Sequence, residues 1–242
     1  MTNNPVLDDE RMARLLESWV ERLQAQAIDP AEFAALEHDL RQVWDASDFV
    51  AQACLREPEL LLGLHADGLL ANPNQAGELA GRLQVRLQDV ADPDALSAAL
   101  RRFRLREMVR IVWRDICRTA PLAETLEDLS ELADVCVVQA LELLHGWQVE
   151  RHGAPKDAEG NEQRLVVLGM GKLGARELNL SSDIDLIFAF PRHGETDGPR
   201  SVANEEFFTR LGRALIGALG RKTVDGFVFR VDMRLRPFGD AG

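Results

Sequence analysis

Gly169-Met170-Gly171-Lys172-Leu173-Gly174-Ala175-Arg176-Glu177-Leu178-Asn179-Leu180-Ser181-Ser182-Asp183-Ile184-Asp185-Leu186-Ile187-Phe188 is the stretch on which fold and chemistry both turn. It is preceded by the apolar run Leu165 to Leu168 and continues as the apolar run Ile184 to Phe190, so two short strands bracket it. Between them lie a glycine-punctuated turn and a short helical piece, a geometry whose exposed backbone N–H groups can hold phosphate oxygens. Asp183 and Asp185 open the second strand. Period-two geometry points both carboxylates to one face and sends Ile184 into the core. Carboxylates so placed repel one another unless a cation sits between them. Hard oxygen donors at this spacing suit Mg²⁺, which takes one or two carboxylates together with phosphates and water.

Moving outward, a third extended segment is expected over Gly226 to Leu235. In Phe229-Arg230-Val231-Asp232-Met233-Arg234-Leu235-Arg236 the alternation puts Arg230, Asp232, Arg234 and Arg236 on one face. Asp232 on a neighbouring strand would join Asp183 and Asp185 as metal ligands and catalytic carboxylates. Two Mg²⁺ ions about 3.5–4 Å apart, held by such a set, suit in-line displacement at phosphorus, and Mn²⁺ is not separated from Mg²⁺ by these residues. Arg234 and Arg236 are candidates to clamp phosphate oxygens bidentately, and Lys172 supplies a point charge. The plain alternatives are a cap or turn for Ser181-Ser182-Asp183 and a charged edge strand for Arg234 and Arg236.

Two other glycine motifs fail on spacing. Gly169-x-Gly171-x-x-Gly174 satisfies a dinucleotide fingerprint, but nine residues between Gly174 and Ile184 are too few for a crossover helix, and no acidic residue ends the second strand. A P-loop would need Lys and Ser or Thr where Ala175-Arg176 stand.

Upstream, from about Leu7 to Gly153, helix follows helix. Met12, Leu15, Leu16, Trp19, Val20 and Leu23 share one face, and further helical patterns cover Ala31 to Trp44, Phe49 to Arg56, Pro58 to Leu70, Ala76 to Val90, Ala95 to Arg118 and Pro121 to about Val149. Seven arginines crowd the stretch from Arg101 to Arg118 and read as a solvated face with Glu107 and Asp115 as partners. The polar segment from Arg151 to Gln163 marks a change of regime. The expected organisation is α+β, with a helical region over 1–153 and a small mixed sheet in an α/β core over 154–242. One helix of that core, between the last two strands, is capped by Asn204 and ends near Gly220.

Composition narrows the function. A net charge of −12 opposes nucleic-acid backbones, and no apolar run is long enough to span a bilayer, so a cytoplasmic protein with neither nucleic-acid nor membrane partner is expected. The three cysteines are widely spaced within apolar helical patterns and suggest buried thiols. The five histidines show no metal-ligand spacing. There is no tyrosine, so a reaction on a tyrosyl group must take place on a partner.

Strand, glycine turn, two-aspartate strand opening and later third carboxylate resemble the polymerase-beta-type nucleotidyltransferase core. The fuller wording, Gly169 to Gly174, Asn179 to Phe188 and Asp225 to Gly239, closely resembles the bifunctional glutamine synthetase adenylyltransferase/adenylyl-removing enzymes. The helical region, including Leu100 to Arg104 and Trp113 to Asp115, resembles their amino-terminal half. Those enzymes are similar to a tandem of two nucleotidyltransferase units, and Ser181-Ser182-Asp183-Ile184-Asp185 resembles the first. In this family that unit removes AMP from a glutamine synthetase tyrosine by phosphorolysis and releases ADP.

The resemblance implies Asp183, Asp185 and Asp232 as metal ligands, with Gly171 and Lys172 at the phosphates and Gly169 and Ser182 in the same nucleotide-binding set. Its implied partners are glutamine synthetase, the PII signal protein, nucleotide and inorganic phosphate. Against the family pattern the chain stops early, at Gly242, as a truncated first unit would. ATP-dependent adenylylation and a catalytically inactive nucleotide-binding or regulatory module therefore stand as rival readings.

Overall fold

The computed structural model describes residues 9–224 and 226–233. Their order is α1 (Asp9–Ala25), a 3-10 segment (Pro30–Leu36), α2 (Glu37–Ala46), α3 (Asp48–Arg56), α4 (Leu60–Ala66), α5 (Glu78–Leu87), α6 (Pro93–Ile116), α7 (Leu122–His152), β1 (Pro155–Lys156), β2 (Val166–Met170), α8 (Gly171–Gly174), β3 (Ile184–Ala189), β4 (Glu195–Thr196), α9 (Asn204–Gly220) and β5 (Val231–Asp232). The class is α+β: helices first, then a small mixed sheet. By compactness the chain forms two units, one of residues 1–75 with 105–128 and the other of 76–104 with 129–242, so α6 and α7 each contribute to both.

Local chemistry sets the helix ends. Asp92 accepts from the backbone N–H groups of Asp94 and Ala95 at 2.9 and 2.8 Å, and Pro93 takes the first helical position of α6, where its missing N–H costs nothing. Ser47 caps α3 through Val50. The expected helix over 58–70 stops at Ala66, because Gly68 turns the chain at φ +70° and Leu69 N–H closes back on the Leu64 carbonyl at 2.9 Å.

The core of the first unit is apolar and aromatic. Trp19 meets Phe33 edge-on at 4.6 Å and Trp44 at 5.6 Å, with Leu61, Leu64, Val109 and Trp113 packed in the same cluster. Two of the arginines expected on a solvated face are instead buried. Arg110 donates to Glu107 at 2.7 Å and to Asp128 at 2.8 Å, and Arg114 holds Glu124 at 2.6 Å. Burial of a guanidinium requires such partners; α6 supplies Glu107, and the first two turns of α7 supply Glu124 and Asp128. Asp115 pairs with no arginine among the described residues; it accepts from Thr125. Cys54, Cys117 and Cys136 are unbridged, and burial pushes the Cys54 thiol up to about 12.

In the second unit the sheet has the order β2-β3-β5, antiparallel then parallel. Ile184 and Leu186 on β3 are buried, and α9 covers that side with Phe207, Phe208, Leu211 and Leu215. The helix comes so close at Gly212 that a Cβ there would stand 2.8 Å from the Phe188 ring. Asn204 is the first residue of α9 and not its cap. Fully buried, it donates to the Lys156 and Arg192 carbonyls at 3.0 and 3.3 Å, tying the helix to the chain around it. The opposite side of β2 is open, with Val166, Leu168 and Met170 each more than a third exposed.

The third extended segment is shorter than expected. Among the described residues only Val231 and Asp232 pair as strand. Upstream of them the alternation breaks: Val228 and Phe229 are both buried, and both their N–H groups bond the Leu219 carbonyl at the end of α9, at 2.9 and 3.0 Å. Backbone donors committed to a helix end are lost to a sheet ladder. No helix among the described residues is long and apolar enough to cross a membrane.

Candidate active site

The carboxylates lie where β3 and β5 run side by side. Their register pairs Ile184 with Val231 and Asp185 with Asp232, so the last two are lateral neighbours on parallel strands. On the other flank Asp185 faces Met170, the last residue of β2, immediately before α8. Asp185 is half-buried and has no hydrogen-bond or ion-pair partner among the described residues. A half-buried carboxylate beside a second one, without a donor, has the character of a cation ligand.

Glycine makes room for it. Gly171 sits at φ +54°, and a Cβ there would stand 2.5 Å from Asp185 Oδ2. The left-handed backbone disfavours a side chain, and one placed there would push the Asp185 carboxylate aside. The turn also closes on itself, since a Cβ on Gly174 would stand 2.5 Å from the Gly169 carbonyl oxygen. Lys172 is exposed on α8.

The loop between α8 and β3 is anchored to α7. Arg176, at φ +60°, pairs with Asp134, and Leu178 N–H donates to Ser130 Oγ at 3.2 Å. An Asn179-centred turn then delivers Asp183: Asn179 Oδ1 accepts from Ser182 Oγ at 2.7 Å and from Ser181 N–H at 3.3 Å. Ser182 therefore spends its hydroxyl within the turn that presents Asp183. Arg230, just before β5, binds Asp183 Oδ1 through Nε and the Ser181 carbonyl through Nη2 at 2.5 Å.

Asp185 and Asp232 are thus brought together, while Asp183 is engaged by Arg230. No group of three or more His, Cys, Asp or Glu side chains converges as a metal cluster among the described residues. Arg234 and Arg236 lie outside the described residues.

Sequence reasoning assigned Arg230 to the face of Asp232 but not to Asp183, read Arg104 as part of a solvated face, and gave Phe227 no role beyond the expected strand. Arg104, on α6, stacks over Phe227 and Phe229, with its guanidinium carbon 5.4 and 5.5 Å from the ring centroids; Arg230 stacks over Phe227 at 5.8 Å. Burial holds the Arg104 pKa below its ordinary value; the Cys136 thiol opposes this and the positive charge of Arg230 adds to it. No local motif marks a contact between a helix residue and a segment more than a hundred positions away.

Residues 37–242 match the family described as glutamate-ammonia ligase adenylyltransferase. The bifunctional glutamine synthetase adenylyltransferase/adenylyl-removing enzyme of Pseudomonas aeruginosa is 56% identical over 237 residues, covering 96% of this chain and 24% of the relative. The enzyme of the same name from Thioalkalivibrio sulfidiphilus is 56% identical over 211 residues, covering 86% and 22%. That from Nitrosococcus oceani is 49% identical over 240 residues, covering 98% and 25%. The chain spans about a quarter of the length of the curated relatives it matches.

Proposed function

Because the chain belongs to the glutamate-ammonia ligase adenylyltransferase family, we propose that it carries the adenylyl-removing chemistry: phosphorolysis of an adenylyl-tyrosine on glutamine synthetase, in the cytoplasm. An oxygen of inorganic phosphate attacks the AMP phosphorus, the bond from phosphorus to the tyrosyl oxygen breaks, that oxygen takes up a proton, and ADP leaves. The observation that carries this reading is the lateral pairing of Asp185 with Asp232, with Asp183 two residues upstream at the mouth of the same strand. Removal rather than addition rests on Ser181-Ser182-Asp183-Ile184-Asp185, whose wording resembles the first unit of the family. The PII signal protein, as regulator, belongs to the same reading.

The donor set fits a divalent cation. Asp185 and Asp232 would hold it, and Asp183 would join them on release from Arg230; Mg²⁺ is the proposed ion, two where all three carboxylates take part. Bound there, it supplies positive charge to the phosphoryl oxygens during in-line displacement. The protein's own residues do the rest. Gly171 leaves space for the Asp185 carboxylate, the Asn179 turn fixes the approach of Asp183, and Lys172 stands exposed beside the turn to meet phosphate oxygens.

Incubating the chain with adenylylated glutamine synthetase, phosphate and Mg²⁺ should release ADP. Asp185→Asn should lower that rate on the order of 100-fold or more while leaving the melting temperature within a few degrees. Consumption of ATP with AMP left on the partner would instead indicate the forward reaction, and failure to release any nucleotide under all these conditions would leave only a binding module.

A further inference from the structure

Two arginines set against Phe227 are short of acceptors. Arg104 makes no hydrogen bond or ion pair among the described residues, and its Nε is buried without a partner. Its charge is not answered by a carboxylate but laid against two aromatic rings, Phe227 and Phe229. Arg230 lies against the same Phe227 ring and has one anionic partner, Asp183. Of two guanidinium groups within 6 Å of one ring centroid, only that of Arg230 has a carboxylate partner. When Asp183 turns to a cation, the pair retains none.

The ring contact leaves the donors of these groups unspent. A guanidinium held near a ring by cation–π attraction spends no N–H donor on it, and two such donors can grip a tetrahedral oxyanion through two oxygens. A half-buried guanidinium without an acceptor is costly, and an anion removes that cost.

We propose that Arg104 and Arg230, set against Phe227, form a phosphate-class oxyanion site next to Asp183. The site deepens the phosphorolysis reading and rests on it for its role: it receives the attacking inorganic phosphate, which becomes the β-phosphate of ADP. Arg104 comes from α6 in the helical part of the chain, so the site joins that helix to the sheet within one compact unit.

Calorimetric titration of the 242-residue chain in Mg²⁺ tests this, with inorganic phosphate, ADP and AMP as separate probes. Arg104→Met keeps the stem and removes the fork; it should weaken inorganic phosphate and ADP about tenfold and leave AMP unchanged. Arg104→Lys should restore part of the loss, since an ammonium keeps the charge without the paired donors. Arg102→Met, which removes an exposed charge from the same helix, should change none of the three.

Equal weakening of AMP and ADP would place the site at the adenylyl phosphate and overturn the assignment to the attacking group. Unchanged phosphate and ADP affinities in folded Arg104→Met, or no phosphate binding by the wild-type chain, would overturn the site itself. If Arg104→Met fails to fold, wild-type affinity in Arg104→Lys for phosphate and ADP overturns it equally. Turnover separates the two ideas. Adenylyl removal with an unaltered KM for phosphate in Arg104→Met sinks the site and keeps the reaction. Arg104-dependent phosphate binding without any adenylyl removal keeps the site and sinks the reaction.

Discussion

Gly171 carries two constraints at one position, a left-handed backbone and a carboxylate oxygen in the place of its missing side chain. Gly171→Ala should therefore do more than strain the turn, which by itself costs about 1–2 kcal/mol. It should displace Asp185 and weaken Mn²⁺ binding, followed by the loss of free-ion signal in electron paramagnetic resonance; unchanged Mn²⁺ affinity would show that Asp185 does not ligate. Arg230 acts in the opposite sense. Its bond to Asp183 is exposed on both sides and worth at most about 1 kcal/mol, so Arg230→Met should tighten Mn²⁺ binding by up to about fivefold in the same assay, as one carboxylate is released. The glycines and aspartates were readable because each is a local statement: a residue type at a fixed offset from an apolar run. The turn at Ser181-Ser182-Asp183, offered as the plain alternative, is likewise local, whereas the hold of Arg230 on Asp183 and the placing of Arg104 against Phe227 were not readable, because each depends on where another segment comes to rest.

At the scale of elements, β2 and β3 followed from continuous apolar runs, and α3, α6 and α7 from their periodicity and end signals. The third extended segment was over-read. Phe227-Val228-Phe229 has the composition of a strand, but two of its N–H groups are taken by the Leu219 carbonyl, and composition cannot foresee that competition. The arginine-rich part of α6 misled for a related reason. Charge alone suggests solvent, whereas Glu107 and Asp128 meet Arg110 below the surface. Glu107→Ala should destabilise the protein by about 3–5 kcal/mol, read as a lowered urea midpoint, because it leaves a buried guanidinium short of charge. A midpoint shift equivalent to less than about 1 kcal/mol would mean that water reaches Arg110 after all.

For the molecule as a whole, His145 gives stability a dependence on pH. Burial lowers its pKa, Arg164 lowers it further, and Glu162 and Glu142 oppose them. Between the depressed folded value and the ordinary 6.5, the unfolded chain binds more protons than the folded one. Stability should thus rise with pH across that window and be lost as pH falls from about 6.5 towards the folded value. Replacement by phenylalanine, which keeps the edge contact with Phe207, should flatten the change in urea midpoint between pH 7 and pH 5.5; an identical slope in both proteins would exonerate the imidazole.

The passage of α6 and α7 through both compact units has a genetic corollary. The chain crosses from one unit to the other three times, after residues 75, 104 and 128, and the last two crossings fall inside helices. No single scission, whether by a protease or by a stop codon, can yield both units with all their parts. The two are inherited together: a shuffled gene that carries the sheet and its preceding helices without α1 to α4 still carries all of α6, with Val109, Val112 and Trp113 stripped of the cluster that buries them.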